Sequence, residues 1–336
     1  MGNLINPFWL STMMDAESVV FVGDGKEPIA ASLLFQPDTI VSVTNAAADV
    51  RYMESDDYYV DRQAARIVRV PGSRMPWMTR EAVASADGQL THGRTVAVTY
   101  SHGSGQWRGF VPASAGTELP RTTRRLQQRE PLTICVTGDS ISEGYDASGF
   151  HALPPFQPPF AALVASALQQ SSGPDVQLHN FGTAGWTTTD ALWDTERITA
   201  VNPDLVVVAF GMNDASYAEA DEYAGNVARL VAAVRADVAH AEFILVAPML
   251  PTPECDWVVH ARFAQYRDVL AQMTGDGVAL ADVTTLWTDL LARKDPHDLS
   301  GNGWNHPNDF GHRIYAQTIL AVMGCASRPD GSGSNA

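Results

Sequence analysis

From residue 132 onward, short apolar runs alternate with amphipathic stretches, and that alternation constrains the fold of this chain more than any other feature. The runs are Leu132-Thr133-Ile134-Cys135-Val136, Val176-Gln177-Leu178, Leu205-Val206-Val207-Val208-Ala209-Phe210, Phe243-Ile244-Leu245-Val246-Ala247 and Val278-Ala279-Leu280-Ala281. Most are continuously apolar rather than alternating in polarity, as expected of strands covered on both faces. Helical periodicity lies between them, near Phe160 to Gln169, Thr188 to Ala200, Ala220 to His240, Val258 to Met273 and Asp309 to Met323. Asn202-Pro203 stops the second of these helices. Such an alternation predicts an α/β domain with a parallel sheet between two helical layers.

Residues 1–128 read differently. Short β-rich runs recur at Ser18 to Val22, Ile40 to Val43, Ala65 to Val70 and Thr95 to Tyr100, separated by Gly, Pro, Asp and Asn clusters. Without a convincing helix, they predict an antiparallel β-sandwich, jelly-roll-like, as an accessory domain. The charged segment Arg121 to Pro131 reads as the linker to a catalytic domain over 129–326, and the polar residues 327–336 as a disordered tail.

Polar residues of a particular kind stand where the strands end. The first run closes in Gly138-Asp139-Ser140, and the second leads to Asn180-Phe181-Gly182. The third leads to Gly211-Met212-Asn213-Asp214, and Asn305-His306-Pro307 precedes the last helix. Acyl transfer needs a nucleophile, a base for its proton and donors for the oxyanion that develops on the carbonyl. Ser140 fits the first role and His306 the second, while the Ser140 and Gly182 N–H groups and the Asn213 amide would serve as donors. Each also has a plainer reading, as a turn glycine, a helix cap or a loop histidine. Their joint occurrence in this order is what the plainer readings leave unexplained. Asp214 and His312 are read as capping or packing residues.

In these four blocks, over roughly residues 130 to 325, the chain resembles the SGNH (GDSL-type) hydrolases, named for this Ser, Gly, Asn and His. The resemblance implies a flavodoxin-like three-layer core and serine esterase activity without a cofactor or metal. The layout is also similar to two-domain carbohydrate O-acetylesterases, whose hydrolase domain follows a β-sandwich. In the family an acid usually stands three residues before the histidine, and here that residue is Gly303. Asp298 would replace it as third triad member if residues 299–303 fold back. Asn302 would orient the ring without charge. A backbone carbonyl near Gly303–Trp304 would give a Ser–His dyad, which is preferred here over Asp298.

Trp186, Trp257 and Trp304 lie near the motif residues and are candidate sugar contacts, although each also fits simple packing. No long apolar lid segment is evident. A short-acyl esterase acting on a small-molecule or oligosaccharide ester is therefore expected. Its rivals are a lipid esterase, lysophospholipase or thioesterase on the same core, and an inactive carbohydrate-binding protein. A metal site at His306, Asp309 and His312 is a remote third.

The formal charge of −16 argues against nucleic acid or anionic membranes as partners. No apolar run approaches the ~20 residues of a membrane span. Cys135, Cys255 and Cys325 form an odd, widely spaced set without the spacing of a disulfide framework or zinc site. The amino terminus shows no basic region followed by an apolar core, so a cytoplasmic location is expected. Oligomeric state is not legible.

Overall fold

The computed structural model describes residues 5–25, 28–84, 91–172 and 175–325; the expected tail 327–336 lies outside them. Among the described residues up to 102, eight strands occur: β1 (Met13–Val19), β2 (Val22–Gly23), β3 (Ile29–Ser32), β4 (Pro37–Asn45), β5 (Tyr58–Asp61), β6 (Arg66–Arg69), β7 (Met78–Thr79) and β8 (Val96–His102). They form antiparallel sheets in the orders β1-β8-β4 and β3-β6-β5, with β2 and β7 as a short parallel pair. Alternate residues of β8 are buried, the period-two pattern of a strand with one face on a core.

Two helices break the expectation for this part of the chain. The short α1 (Arg80–Ala84) interrupts the strands. The segment read as a linker contains α2 (Pro120–Gln128), which starts with proline in its first turn and buries Thr122 and Leu126. Pro at that position gives up only an N–H that has no helical partner. The carboxylate of Glu242 accepts from Arg121 N at 2.9 Å and Thr122 N at 2.7 Å, so an anion sits at the positive end of the helix. Few sequence signals mark α2 besides Pro120, because its remaining residues are mostly charged or polar.

The second half is a five-stranded parallel sheet in the order β10-β9-β11-β12-β13. Its strands are β9 (Leu132–Gly138), β10 (Val176–Asn180), β11 (Leu205–Ala209), β12 (Glu242–Ala247) and β13 (Val278–Asp282). All residues of β11 and β12 are buried, which accounts for their apolar sequence, broken only by Glu242 at the start of β12. Helices α3 (Ser140–Glu143), α4 (Phe160–Ser172), α5 (Thr188–Ala191), α6 (Thr195–Ala200), α7 (Asp214–Tyr217), α8 (Ala220–Asp237), α9 (Ala261–Gln272), α10 (Val283–Leu291) and α11 (Asp309–Val322) connect or follow the strands. The expected helix from 188 to 200 is two helices, α5 and α6, separated by Leu192 to Asp194. Helix α10 is not among the sequence expectations; the Asp282 side chain caps its first turn by accepting from Thr285 N. No helix among the described residues is long and apolar enough to cross a membrane.

This strand order reverses direction between β9 and β11. Chain connections on either side of such a switch leave in opposite directions and open a crevice at the carboxyl ends of the strands. Ser140 follows β9 and Asn213 follows β11, so both stand at that crevice.

The first half is bonded extensively to the second. Arg313 of α11 donates to the carbonyls of Asp15 and Ala16, each at 2.6 Å. Gln317 reaches Asn6 O at 3.0 Å, and Ala115 N donates to Val322 O at 2.8 Å.

Candidate active site

The turn that presents Ser140 is built from glycine and a cap. A Cβ on Gly138 would lie 2.1 Å from Ser142 Oγ and 2.4 Å from the carbonyl oxygen of Ala209, so only glycine lets β9 pass into α3 there. Asp139 caps α3 by accepting from Ile141 N at 3.0 Å. Its carboxyl is fully enclosed, and burial pushes its pKa up to about 7 against the bonds from the Ile141 and Met212 amides and the attraction of His306. Ser140 is the first residue of α3, so its N–H has no acceptor within the helix.

Ser140 Oγ lies 2.8 Å from His306 Nε2, although the two are 166 residues apart in the chain. On the other side of the ring, His306 Nδ1 lies 3.0 Å from Asp146 Oδ2. Burial opposes ionisation of Asp146, but the hydrogen bonds and charges of His306 and His151 outweigh it and hold the carboxyl below the usual carboxylate range. His151 Nε2 occupies the second oxygen, Oδ1, at 2.9 Å. Asp146 itself sits at φ 67°, a left-handed conformation that asparagine and aspartate tolerate better than most residues and that gathers at functional sites. Hydroxyl, imidazole and carboxylate therefore stand in one line, with proton-transfer reach at the first contact.

Asn302 Nδ2 is also near His306 Nδ1, at 3.1 Å, and the two neighbours want opposite tautomers. Asp146 accepts a proton from Nδ1 and leaves Nε2 free to receive the Ser140 proton. Asn302 can only donate to a bare Nδ1, which leaves the proton on Nε2. A carboxylate outweighs a neutral amide here, because hydrogen bonds to charged groups are roughly twice as strong. Asn302 also shapes the turn that carries His306. Its Oδ1 accepts from the N–H groups of Trp304 at 2.9 Å and Asn305 at 3.1 Å.

Asp298 is not the third member. Its carboxylate faces away to the first half of the chain, where Oδ1 accepts from Val20 N at 2.6 Å and Oδ2 pairs with Lys294 Nζ at 3.0 Å. The preferred dyad is corrected as well. The carbonyl of Gly303 accepts from Thr252 Oγ1 at 2.7 Å, that of Trp304 from Thr252 N at 2.7 Å, and a carboxylate stands at Nδ1 instead. Asp146 escapes the sequence reading because it lies just after the nucleophile, far along the chain from the acid position expected beside His306. The available signal is Gly144-Tyr145-Asp146, an acid directly beyond a helix-ending glycine, together with Gly301. A Cβ on Gly301 would come within 2.4 Å of Asp146 Cβ.

The donor residues are brought to the same crevice with one complication. One N–H of the Asn213 amide is donated to Trp186 O at 2.9 Å, which anchors the side chain and leaves its second N–H. Gly182 packs so closely on α3 that a Cβ would meet Glu143 N at 2.3 Å and Ser142 C at 2.5 Å. Its N–H is donated to Asn180 Oδ1 at 3.0 Å, so it can serve a substrate only by sharing that proton. Asp214 is the first residue of α7, and its Oδ1 accepts from Thr188 N at 2.9 Å, at the start of α5 rather than of the helix that follows β11.

His312 is wholly buried, with Nδ1 accepting from Phe160 N at 3.3 Å and Nε2 3.0 Å from Tyr145 O. Burial lowers its pKa and favours the neutral ring. Asp309 accepts from Ser148 N at 2.8 Å. With His306 committed to Ser140 and Asp146, the three residues of the remote metal reading point to different partners.

Aromatic rings surround the pair. Tyr145 lies 5.3 Å from the His306 ring and 4.7 Å from Phe150, between centroids. Of the three candidate tryptophans, Trp257 is 38% exposed. Trp186 is half-buried beneath Arg197, and Trp304 is half-buried with Nε1 enclosed and lacking a partner. Trp193 at 85% exposure and Tyr217 at 80% are not among the sequence candidates. From residue 132 on, the large exposed hydrophobic side chains among the described residues are Phe150, Phe156, Trp193, Tyr217, Trp257 and Val259. All six lie in the connections that follow strands β9 to β12, the strands whose carboxyl ends carry Ser140 and Asn213.

The sequence model of the GDSL-like Lipase/Acylhydrolase family matches residues 136–314, just over half of the chain. Among solved structures, an α/β hydrolase, LAE5, from the metagenome of Lake Arreo is 25% identical, with a TM-score of 0.48 over 58% of this chain and 96% of that one. An acetyl-xylooligosaccharide esterase, Axe2, of Geobacillus stearothermophilus is 25% identical, with a TM-score of 0.48 over 57% and 94%. A two-domain esterase, CEX, active on acetylated mannans is 20% identical, with a TM-score of 0.51 over 66% of this chain and 57% of that one, a likeness of fold. No curated protein matches the chain.

Proposed function

The chain belongs to the GDSL-like lipase/acylhydrolase family of ester hydrolases, and on that premise we propose that it removes short acyl groups, acetyl foremost, from a carbohydrate. Ser140 attacks the ester carbonyl, and His306 takes its proton and returns it to the leaving sugar hydroxyl. Asp146 holds the ring in the accepting tautomer and stabilises the imidazolium that forms. Water then attacks the acyl-enzyme and gives a proton to His306, which returns it to Ser140 Oγ as the acid leaves. The Ser140 N–H and the free N–H of Asn213 meet the oxyanion, with Gly182 N–H as a shared third donor. The observation that carries this reading is the 2.8 Å contact between Ser140 Oγ and His306 Nε2, with Asp146 on the opposite nitrogen.

The carbohydrate half of the proposal rests on the exposed rings. Tyr217 stands four residues after Asn213, one helical turn along the same face. Ser216 Oγ donates to Trp257 O at 2.8 Å, which places Trp257 against α7. Five of the six exposed side chains in the connections after β9 to β12 are aromatic. Flat rings suit the CH faces of neutral sugars, whereas a lipid-binding mouth would draw on aliphatic side chains. An acidic protein is also poorly suited to an anionic bilayer.

Hydrolysis of p-nitrophenyl acetate, butyrate and octanoate, together with acetate release from an acetylated oligosaccharide, tests the proposal. The expected order is acetate over butyrate over octanoate, with release from the saccharide. Faster turnover of octanoate would transfer the site to the lipid-esterase or thioesterase reading, for which Phe150 and Phe156 would line the acyl chain. Saccharide binding with no hydrolysis of any ester would leave the inactive carbohydrate-binding reading.

A further inference from the structure

The segment that carries His306 is held from outside the parallel-sheet half of the molecule. Gly301 N donates to His306 O at 2.8 Å, and Gly301 O accepts from Thr91 N at 2.7 Å. Thr91 Oγ1 lies 3.0 Å from Ser300 O and 3.1 Å from Gly301 O. Gly301 also abuts Asp146, so the residue that Thr91 grips touches both the acid and the histidine. Beyond His306, Asn308 Nδ2 donates to Ser18 Oγ at 3.0 Å.

The other end of the segment is fixed by buried charge. Lys294 Nζ, with no exposure, pairs with Glu17 at 2.7 Å and Asp298 at 3.0 Å, and donates to the carbonyls of Ser18 and Ser32 at 2.9 Å each. Burial alone would lower the Lys294 pKa, but the two carboxylates outweigh it and raise it. Tyr100 OH completes the group on Glu17 at 2.5 Å. Such a cluster is satisfied in one register only, because sliding the segment would leave charges buried without partners.

We propose that the N-terminal strands act as a brace that fixes the catalytic imidazole, with Thr91 as a positioning residue of the reaction. This rests on the reading of Ser140, His306 and Asp146 given above. Loops ordinarily move, and misplacement of a catalytic group by about 1 Å can cost on the order of 100-fold in rate. A loop bearing the general base therefore needs support, and here it comes from a region of the chain that supplies no reacting group.

Thr91→Val keeps the side-chain shape and the Thr91 N–H bond but removes the hydroxyl donor. Loss of one ordinary hydrogen bond corresponds to a fall in kcat for p-nitrophenyl acetate of about 3- to 10-fold, with KM changed by less than about twofold. The Nδ1 proton resonance of His306, identified by its absence in His306→Ala, should shift or broaden. Thr91→Ser should restore both. A merely structural role would lower Tm and leave the resonance and the KM-against-kcat split alone. Unchanged kcat and resonance in folded Thr91→Val would overturn the brace, as would failure of Thr91→Ser to restore them. If wild-type hydrolysis proved independent of Ser140, the functional reading would fall, while the resonance would still decide the brace.

Discussion

Replacing Asp146 by asparagine isolates the charge on the far side of the imidazole. In the acylation transition state His306 becomes an imidazolium, and its Nδ1 lies 3.0 Å from Asp146 Oδ2. At an effective dielectric of about 20, two unit charges at that distance attract by about 5.5 kcal/mol, which is on the order of 10⁴-fold in rate at about 1.4 kcal/mol per tenfold. Serine proteases lose about 10⁴ in kcat from the equivalent change, largely through the wrong tautomer. The same tautomer fault is expected here, because the introduced amide would join Asn302 in donating to Nδ1. The substitution is nearly isosteric, so the fold should persist, with His151 losing its charged partner. The assay is steady-state hydrolysis of p-nitrophenyl acetate by folded Asp146→Asn. A fall in kcat of about 10³-fold or more with little change in KM is expected. A kcat within about tenfold of wild type, or a loss confined to KM, would refute the assignment of Asp146.

Other substitutions and pH address separate parts of the account. Asn213→Ala should cut kcat by about 100- to 1000-fold with little effect on KM, as for loss of an oxyanion donor elsewhere; steady-state kinetics at saturating substrate would expose a smaller role. Asp298→Asn should lower kcat by no more than about tenfold, far short of the loss of a triad acid, while costing on the order of 3 kcal/mol of stability through the Lys294 cluster, read by thermal and denaturant unfolding. Asp139 contributes a pH dependence of stability. Its folded pKa of about 7 exceeds the ordinary carboxyl value of 3.8, so between those values the unfolded chain has released a proton that the folded chain keeps. Stability from this group thus falls as pH rises from about 4 to about 7, and Asp139→Asn should unfold later than wild type at pH 8 but not at pH 4.

Much of the frame is legible in the sequence because it depends on local pattern. Leu205 to Phe210 can be little other than a buried strand. Ser140, Gly182 and Asn213 are visible because each stands just beyond an apolar run, and His306 because it stands just before the last helix. What is illegible depends on contacts across the chain. Asp146 meets His306 only because Gly301 leaves room beside it, a fact about three segments at once. The neighbourhood of Gly303 offers Asp298 as an acid, yet Lys294 and the Val20 N–H claim that carboxylate, and Glu17 on β1 completes the group. Trp193 and Tyr217 look like any other aromatics until the structure leaves them exposed in the connections after β10 and β11. Helix α2 is hidden by its charges, since its burial rests on Thr122 and Leu126 and on the distant Glu242.

Covalent labelling of the nucleophile tests the central claim most directly. Incubation of wild type with a fluorophosphonate probe, followed by mass spectrometry of the peptides, should place a single adduct on Ser140, formed far more slowly in His306→Ala and absent in Ser140→Ala. An adduct on another residue, or full esterase activity in Ser140→Ala, would contradict it.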